Sequence, residues 1–172
     1  MYGQSKLARE KTVRDANPRH VILRTSWVYS ATGSNFLKTM LKQSADRAEL
    51  TVVSDQFGHP TIANEIAGAV LAIAGKLRLK KDQSAYGTDH YCGTQMRSWA
   101  EFAADIFTES RKLNGPAAIV TPVTTAQYGS KTSRPLWSVL DTSHFKTAFE
   151  YEQQSCNDCL HDVIEDVLDS AR

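Results

Sequence analysis

Apolar positions along the chain fall into blocks whose spacing switches between the helical and the extended period. Gly3 to Ala16 is rich in helix formers, with Leu7 and Val13 as sparse apolar points. Asn17-Pro18 stops it, because a residue before proline is pushed out of the helical region. The segment reads as a helix whose beginning has been cut away. His20 to Tyr29 follows as a mostly apolar run with β-branched and aromatic residues, which predicts one buried strand. From Asn35 to Glu49, Phe36, Leu37, Met40 and Leu41 share one helical face, and Leu50 to Ser54 returns to a short strand. Asp55 to Pro60 is punctuated as a loop. Thr61 to Leu77 is an Ala-rich helix with Ile66, Val70 and Ile73 inward, Tyr86 to Cys92 a short strand, and Ser98 to Leu113 an amphipathic helix. Ser98 caps that helix with Glu101 at its third position, and Asn114-Gly115-Pro116 ends it. Ile119 to Thr125 predicts a further strand, Ser138 to Leu140 an extended piece, Ser143 to Phe149 a helical turn, and Cys159 to Ala171 a closing helix.

Helices alternating with strands predict an α/β fold with parallel pairing. The 172 residues suit one domain over 1–172, with no repeat, linker or internal boundary. A doubly wound sheet binds its dinucleotide at a glycine-rich turn after the first strand, and no Gly-x-Gly-x-x-Gly occurs in the chain. The expectation is therefore the C-terminal part of a Rossmann-like sheet with a smaller substrate-binding lobe, its first strands and dinucleotide half missing. Such a sheet would keep an unpaired edge, through which a homodimer could form.

Charge narrows the partners. The formal net charge is +1, which argues against nucleic acid and leaves a small molecule as the expected ligand. The four basic residues from Lys76 to Lys81 read as a solvated helix end. No apolar stretch approaches transmembrane length and residues 1–20 are not signal-like, so no membrane partner and a cytoplasmic address are expected. Three cysteines, an odd number, fit reduced thiols better than a disulfide framework. Cys156 and Cys159 with His161 raise zinc, but a structural site needs four ligands and there is no second spaced pair.

Candidate chemistry begins at Tyr2-Gly3-Gln4-Ser5-Lys6. A phenol and an ammonium four positions apart point to the same side of a helix, and a fixed cation favours the phenolate, so Lys6 would fit Tyr2 as a proton donor. A surface pair on an ordinary helix has the same spacing.

Context adds to the motif. Tyr2 to Glu10, the strand Ile22-Leu23-Arg24-Thr25-Ser26-Trp27-Val28-Tyr29, Asn35-Phe36, the loop Val53 to Thr61, Ser98-Trp99 with Phe102-Ala103, and Ser133-Arg134-Pro135 with Ser138 and Leu140 follow in one order. This order resembles the dTDP-4-dehydrorhamnose reductases of the extended short-chain dehydrogenase/reductase superfamily, from their Tyr-x-x-x-Lys motif onward. The resemblance implies NADPH- or NADH-dependent reduction of the 4-keto group of a dTDP-linked deoxysugar. Tyr2 would give the proton and Lys6 would hold the nicotinamide ribose. Trp27 would lie against the sugar, or else be a core aromatic. Gln56 and Arg134 would meet the pyrimidine and the diphosphate, or else fix their loops. His59 holds a variable place in its loop and is incidental.

Two departures enter the expectation. The upstream serine or threonine of the catalytic set is absent, as is the dinucleotide site, so the chain reads as a fragment of a parent enzyme that is inactive by itself and binds no cofactor tightly. Asn64, with Glu65 beside it, stands where magnesium-linked family dimers have a glutamate, and Asn157-Asp158 replaces their Trp-Glu pair, so a magnesium contact is doubtful. Two other readings stay open. One is a non-catalytic subunit resembling the regulatory subunit of methionine adenosyltransferase, and the other an extended-family nucleotide-sugar epimerase or dehydratase.

Overall fold

The computed structural model describes residues 2–79, 85–130, 132–152 and 159–170, with only the backbone of Tyr2 and Leu79. The elements in chain order are helix α1 (Tyr2–Ala16), strands β1 (Val21–Arg24) and β2 (Val28–Tyr29), helix α2 (Phe36–Ser44), and strands β3 (Glu49–Val53), β4 (Phe57–Gly58) and β5 (Thr61–Ile62). Helix α3 (Ala63–Leu79), strands β6 (Gly87–His90) and β7 (Arg97–Ser98), helix α4 (Trp99–Lys112), strand β8 (Ile119–Val123) and helices α5 (Thr125–Tyr128), α6 (Ser143–Phe149) and α7 (Cys159–Asp169) complete it.

Parallel pairing is as the alternation predicts: β1 lies beside β6, β2 beside β5 and β3 beside β8, while β4 and β7 run antiparallel. The expectation of a sheet with its first strands missing is corrected. β1 and β2, the first strands of the chain, are both formed and paired, and the described strands make four two-stranded ladders. The single strand expected over His20 to Tyr29 is also corrected. It breaks between β1 and β2, where Trp27 takes a left-handed conformation with φ 47°. That conformation is costly for a side chain with a Cβ and cannot continue a strand.

Two hydrophobic cores hold these ladders. The larger packs Leu37, Met40 and Leu41 of α2 with Leu50 and Val52 of β3, Phe102, Ile106 and Phe107 of α4, and Val163 and Ile164 of α7. Helix α4 owes its register to a full capping box, in which Ser98 Oγ accepts from Glu101 N–H and the Glu101 carboxylate accepts from Ser98 N–H. The smaller core joins Ala69 and Ile73 of α3 to Tyr91 and to Phe145 and Phe149 of α6, with Val21 and Leu23 of β1 against it. His144 Nδ1, 2.6 Å from the buried Asp89 carboxylate, ties α6 to β6.

Helix α1 carries little apolar surface, and Leu7 and Val13 are exposed. It is fastened by polar contacts. Arg24 of β1 donates two hydrogen bonds to the Glu10 carboxylate, at 2.8 and 2.7 Å, and Arg14 donates to Thr88 of β6 at 3.1 Å. The Arg24 guanidinium holds the Glu10 carboxyl below its usual range.

Candidate substrate site

The loop from Asp55 to Pro60 is built around Thr125, the first residue of α5. Both Asp55 carboxylate oxygens accept from the Thr125 N–H, at 2.9 and 3.0 Å, and Oδ1 also accepts from its hydroxyl at 2.6 Å. These bonds to Thr125 lower the Asp55 pKa. The same hydroxyl oxygen accepts from Gln56 Nε2 at 3.0 Å, and the Gln56 side chain is buried. Its carbonyl oxygen accepts no hydrogen bond from the described residues.

A cavity of about 400 Å³ opens beside this node. Its floor is apolar, with Phe36 and Met40 of α2 and Leu50 and Val52 of β3, and Trp99 forms a wall. Gln56, Tyr128 and Arg134 line it as well. Trp27 lies directly behind Trp99, the two indoles stacked with centroids 3.5 Å apart and planes 8° from parallel. Gly58 permits this, since a Cβ there would come within 2.5 Å of the Trp27 ring.

The structure thus gathers Gln56 and Arg134 around one cavity, with Trp27 one ring removed. Tyr2 opens α1 and Lys6 follows one turn later on its exposed face; the Tyr2 side chain lies outside the described residues. Lys6 does not line this cavity. Thr125, Tyr128 and the cavity role of Trp99 escaped the sequence reading. The pattern Thr124-x-x-Gln127, a capping box three residues apart, marks the start of α5 and could have found the first two.

His59 is half-buried, its Nδ1 meets no hydrogen-bond partner among the described residues, and burial lowers its pKa. Cys92 is a buried free thiol whose pKa burial pushes up to about 11. Cys159 is disulfide-bonded, which corrects the expectation of reduced thiols throughout, while Cys156 lies outside the described residues. His161 Nδ1 lies 3.4 Å from Glu109, and no group of three metal-capable side chains occurs among the described residues. Asn64 is exposed, and the neighbouring Glu65 accepts from the Tyr91 hydroxyl at 3.1 Å. No helix among the described residues is long and apolar enough to cross a membrane.

Parallel strand pairs with a Tyr-x-x-x-Lys helix on one ladder and an aromatic-walled cavity on another make an α/β domain with a candidate ligand cavity. The chain belongs to the RmlD substrate binding domain family, whose model matches residues 1–168. A dTDP-4-dehydrorhamnose reductase of Sinorhizobium fredii is 40% identical over 149 residues, covering 87% of this chain and 50% of that protein. Among solved structures, the Bacillus anthracis dTDP-4-dehydrorhamnose reductase in complex with NADP superposes with a TM-score of 0.78 at 31% identity, over 98% of this chain and 55% of that one. A Clostridium acetobutylicum ortholog gives 0.80 at 32% identity, over 95% and 54%. The chain spans about half the length of the curated relatives it matches.

These matches correct three expectations. The resemblance, expected as one to the C-terminal portion of a reductase, is found as one match to the family's substrate binding domain over residues 1–168. Inactivity argued from a missing half finds no support in that match. Nor is family membership a property only of a parent, since the model match covers this chain itself.

Proposed function

We propose that this chain binds a dTDP-linked 4-keto-6-deoxysugar and serves its reduction to dTDP-L-rhamnose, with NADPH or NADH as the reductant. The observation that carries the reading is the single cavity lined by Gln56, Trp99, Tyr128 and Arg134, in a chain whose relatives bear the reductase name. Its chemistry suits the ligand. An apolar floor takes the flat pyrimidine, the Gln56 carbonyl oxygen takes an imide N–H, and the exposed Arg134 guanidinium meets the diphosphate in its fork geometry. Trp27, one ring behind Trp99 and outside the cavity lining, backs that wall.

The nicotinamide, when bound, supplies the hydride. The Tyr2–Lys6 pair is the part of this chain that fits it, as the sequence has no Gly-x-Gly-x-x-Gly turn. Tyr2 donates a proton to the carbonyl oxygen, which avoids a free alkoxide, and Lys6 holds the ribose and supports the phenolate that remains. Self-association through a strand edge belongs to the same proposal, and a monodisperse monomer in light scattering would remove it.

The test is a titration with dTDP-L-rhamnose followed by tryptophan fluorescence, with UDP-glucose as control. A saturable response specific to the dTDP-sugar, lost in Trp27→Ala, is expected. An equal response to UDP-glucose, or none from a chain folded by circular dichroism, overturns the reading. In an assay of NADPH oxidation with the 4-keto sugar, Tyr2→Phe is expected to lower turnover by a factor of about 10² or more.

A further inference from the structure

Trp99 is placed with more care than a core aromatic needs. It is the first residue of α4, directly after the Ser98 cap, and β7 pairs Ser98 with Phe57 and Arg97 with Gly58. One face of its ring is covered by Trp27 at 3.5 Å, and Phe36 leans on it at 4.5 Å and 47°. Trp99 and Phe36 line the cavity, whereas Trp27 does not.

Trp27 is itself clamped. Its backbone is held at φ 47°, its carbonyl accepts from Thr61 N–H at 3.1 Å, and the Gly58 backbone sits against its ring. Strain of this kind persists only where the surroundings over-determine it. Here the strained residue supports the back of an aromatic wall.

We propose that Trp99 contacts the ligand directly as the π-wall for the pyrimidine base, that Trp27 is a positioning residue that fixes its plane, and that Gly58 is the position that makes the stack possible. The inference rests on the reading of this cavity as the dTDP-sugar site and deepens it. The order of groups along the wall supports the assignment. Trp99 is half-buried and Arg134 exposed, so the flat base goes inward while the phosphates stay where water still reaches them. A base on an aromatic face needs no further donor from that face, and the stacked pair behind it resists tilting.

The experiment uses dTDP alone as the probe, measured by calorimetry on the wild-type chain, Trp99→Leu, Trp99→Phe and Gly58→Ala. Trp99→Leu keeps apolar bulk without a π-face and is expected to weaken dTDP by about tenfold, with most affinity retained in Trp99→Phe. Gly58→Ala is expected to weaken dTDP and to abolish the tryptophan exciton couplet in circular dichroism while the chain stays folded. Wild-type binding with Trp99→Leu within about twofold of it overturns the inference alone. Should Trp99→Leu fail to fold, Gly58→Ala decides, because unchanged affinity with a lost couplet also overturns it. A folded wild-type chain that ignores dTDP overturns the cavity reading, and this inference with it.

Discussion

Replacing Thr125 by valine keeps the shape of the side chain and removes only the hydroxyl. That oxygen accepts from Gln56 Nε2 at 3.0 Å and donates to Asp55 at 2.6 Å. The backbone N–H of Thr125 still reaches both Asp55 oxygens, so the loop keeps its anchor there. Gln56 keeps nothing equivalent. Its side chain is 5% exposed, and a buried amide donor left unsatisfied costs about 2 kcal/mol. For a chain of 172 residues that corresponds to a drop of about 4–8 °C in the midpoint of thermal unfolding. Thr125→Ser retains both bonds and should unfold near the wild-type temperature. Calorimetric unfolding of the three proteins separates the cases, and dTDP titration should show Thr125→Val weakened as the Gln56 amide leaves its bearing. Valine and serine variants of equal stability would refute the claim that this hydroxyl holds Gln56.

Other outcomes follow from single contacts. A Cβ at Gly93 would lie 2.1 Å from the Pro60 carbonyl oxygen, so Gly93→Ala should destabilise by about 3 kcal/mol, read as a lower urea midpoint. Native Cys92, 1% exposed with its pKa at about 11, should stay unmodified by a thiol-reactive disulfide reagent at mildly alkaline pH until urea is added. Its folded pKa lies above the unfolded one, so its contribution is full below about pH 8.5 and is lost as pH rises from there. His59 acts at the other end. Burial lowers its pKa, so the unfolded chain takes up that proton first and stability should fall as pH drops below about 6.5. His59→Gln should flatten that part of a plot of urea midpoint against pH, and an unchanged plot would remove His59 as the cause.

Periodicity was a good guide where a segment packs against one core. Leu37, Met40 and Leu41 lie buried on the face their spacing assigns, and the Ser98–Glu101 pattern marks the start of α4. It failed where backbone geometry overrides side-chain pattern. The run from His20 to Tyr29 is mostly apolar and reads as one strand through Arg24-Thr25-Ser26, so the turn at Trp27, whose ring packs against Gly58 and Trp99 from distant parts of the chain, went unread. Helix α5 is too short for its period to register, although its capping pair was visible. The candidate site residues stand in sequence as a set of motifs in order, and the side chains packed around them do not. Gln56 reads in sequence as either a ligand-facing amide or a loop-fixing one, and the structure gives its nitrogen to Thr125, 69 positions away.

On the proposed function, the two cores divide the molecule into a part that would hold the ligand and a part that would react with it. The wall and floor of the cavity, Trp99, Phe36, Met40 and Leu50, belong to the larger core, whereas α1, which carries Tyr2 and Lys6, is fastened to β1 and β6 beside the smaller one. That fastening is polar and partly solvated, so it can slide by small amounts without opening a hydrophobic seam. On the proposed function, a chain arranged in this way can drift in sequence at its ligand wall and keep the helix of Tyr2 and Lys6 unchanged, or the reverse. Changes in which sugar is recognised and changes in how fast it reacts would then be separable over generations.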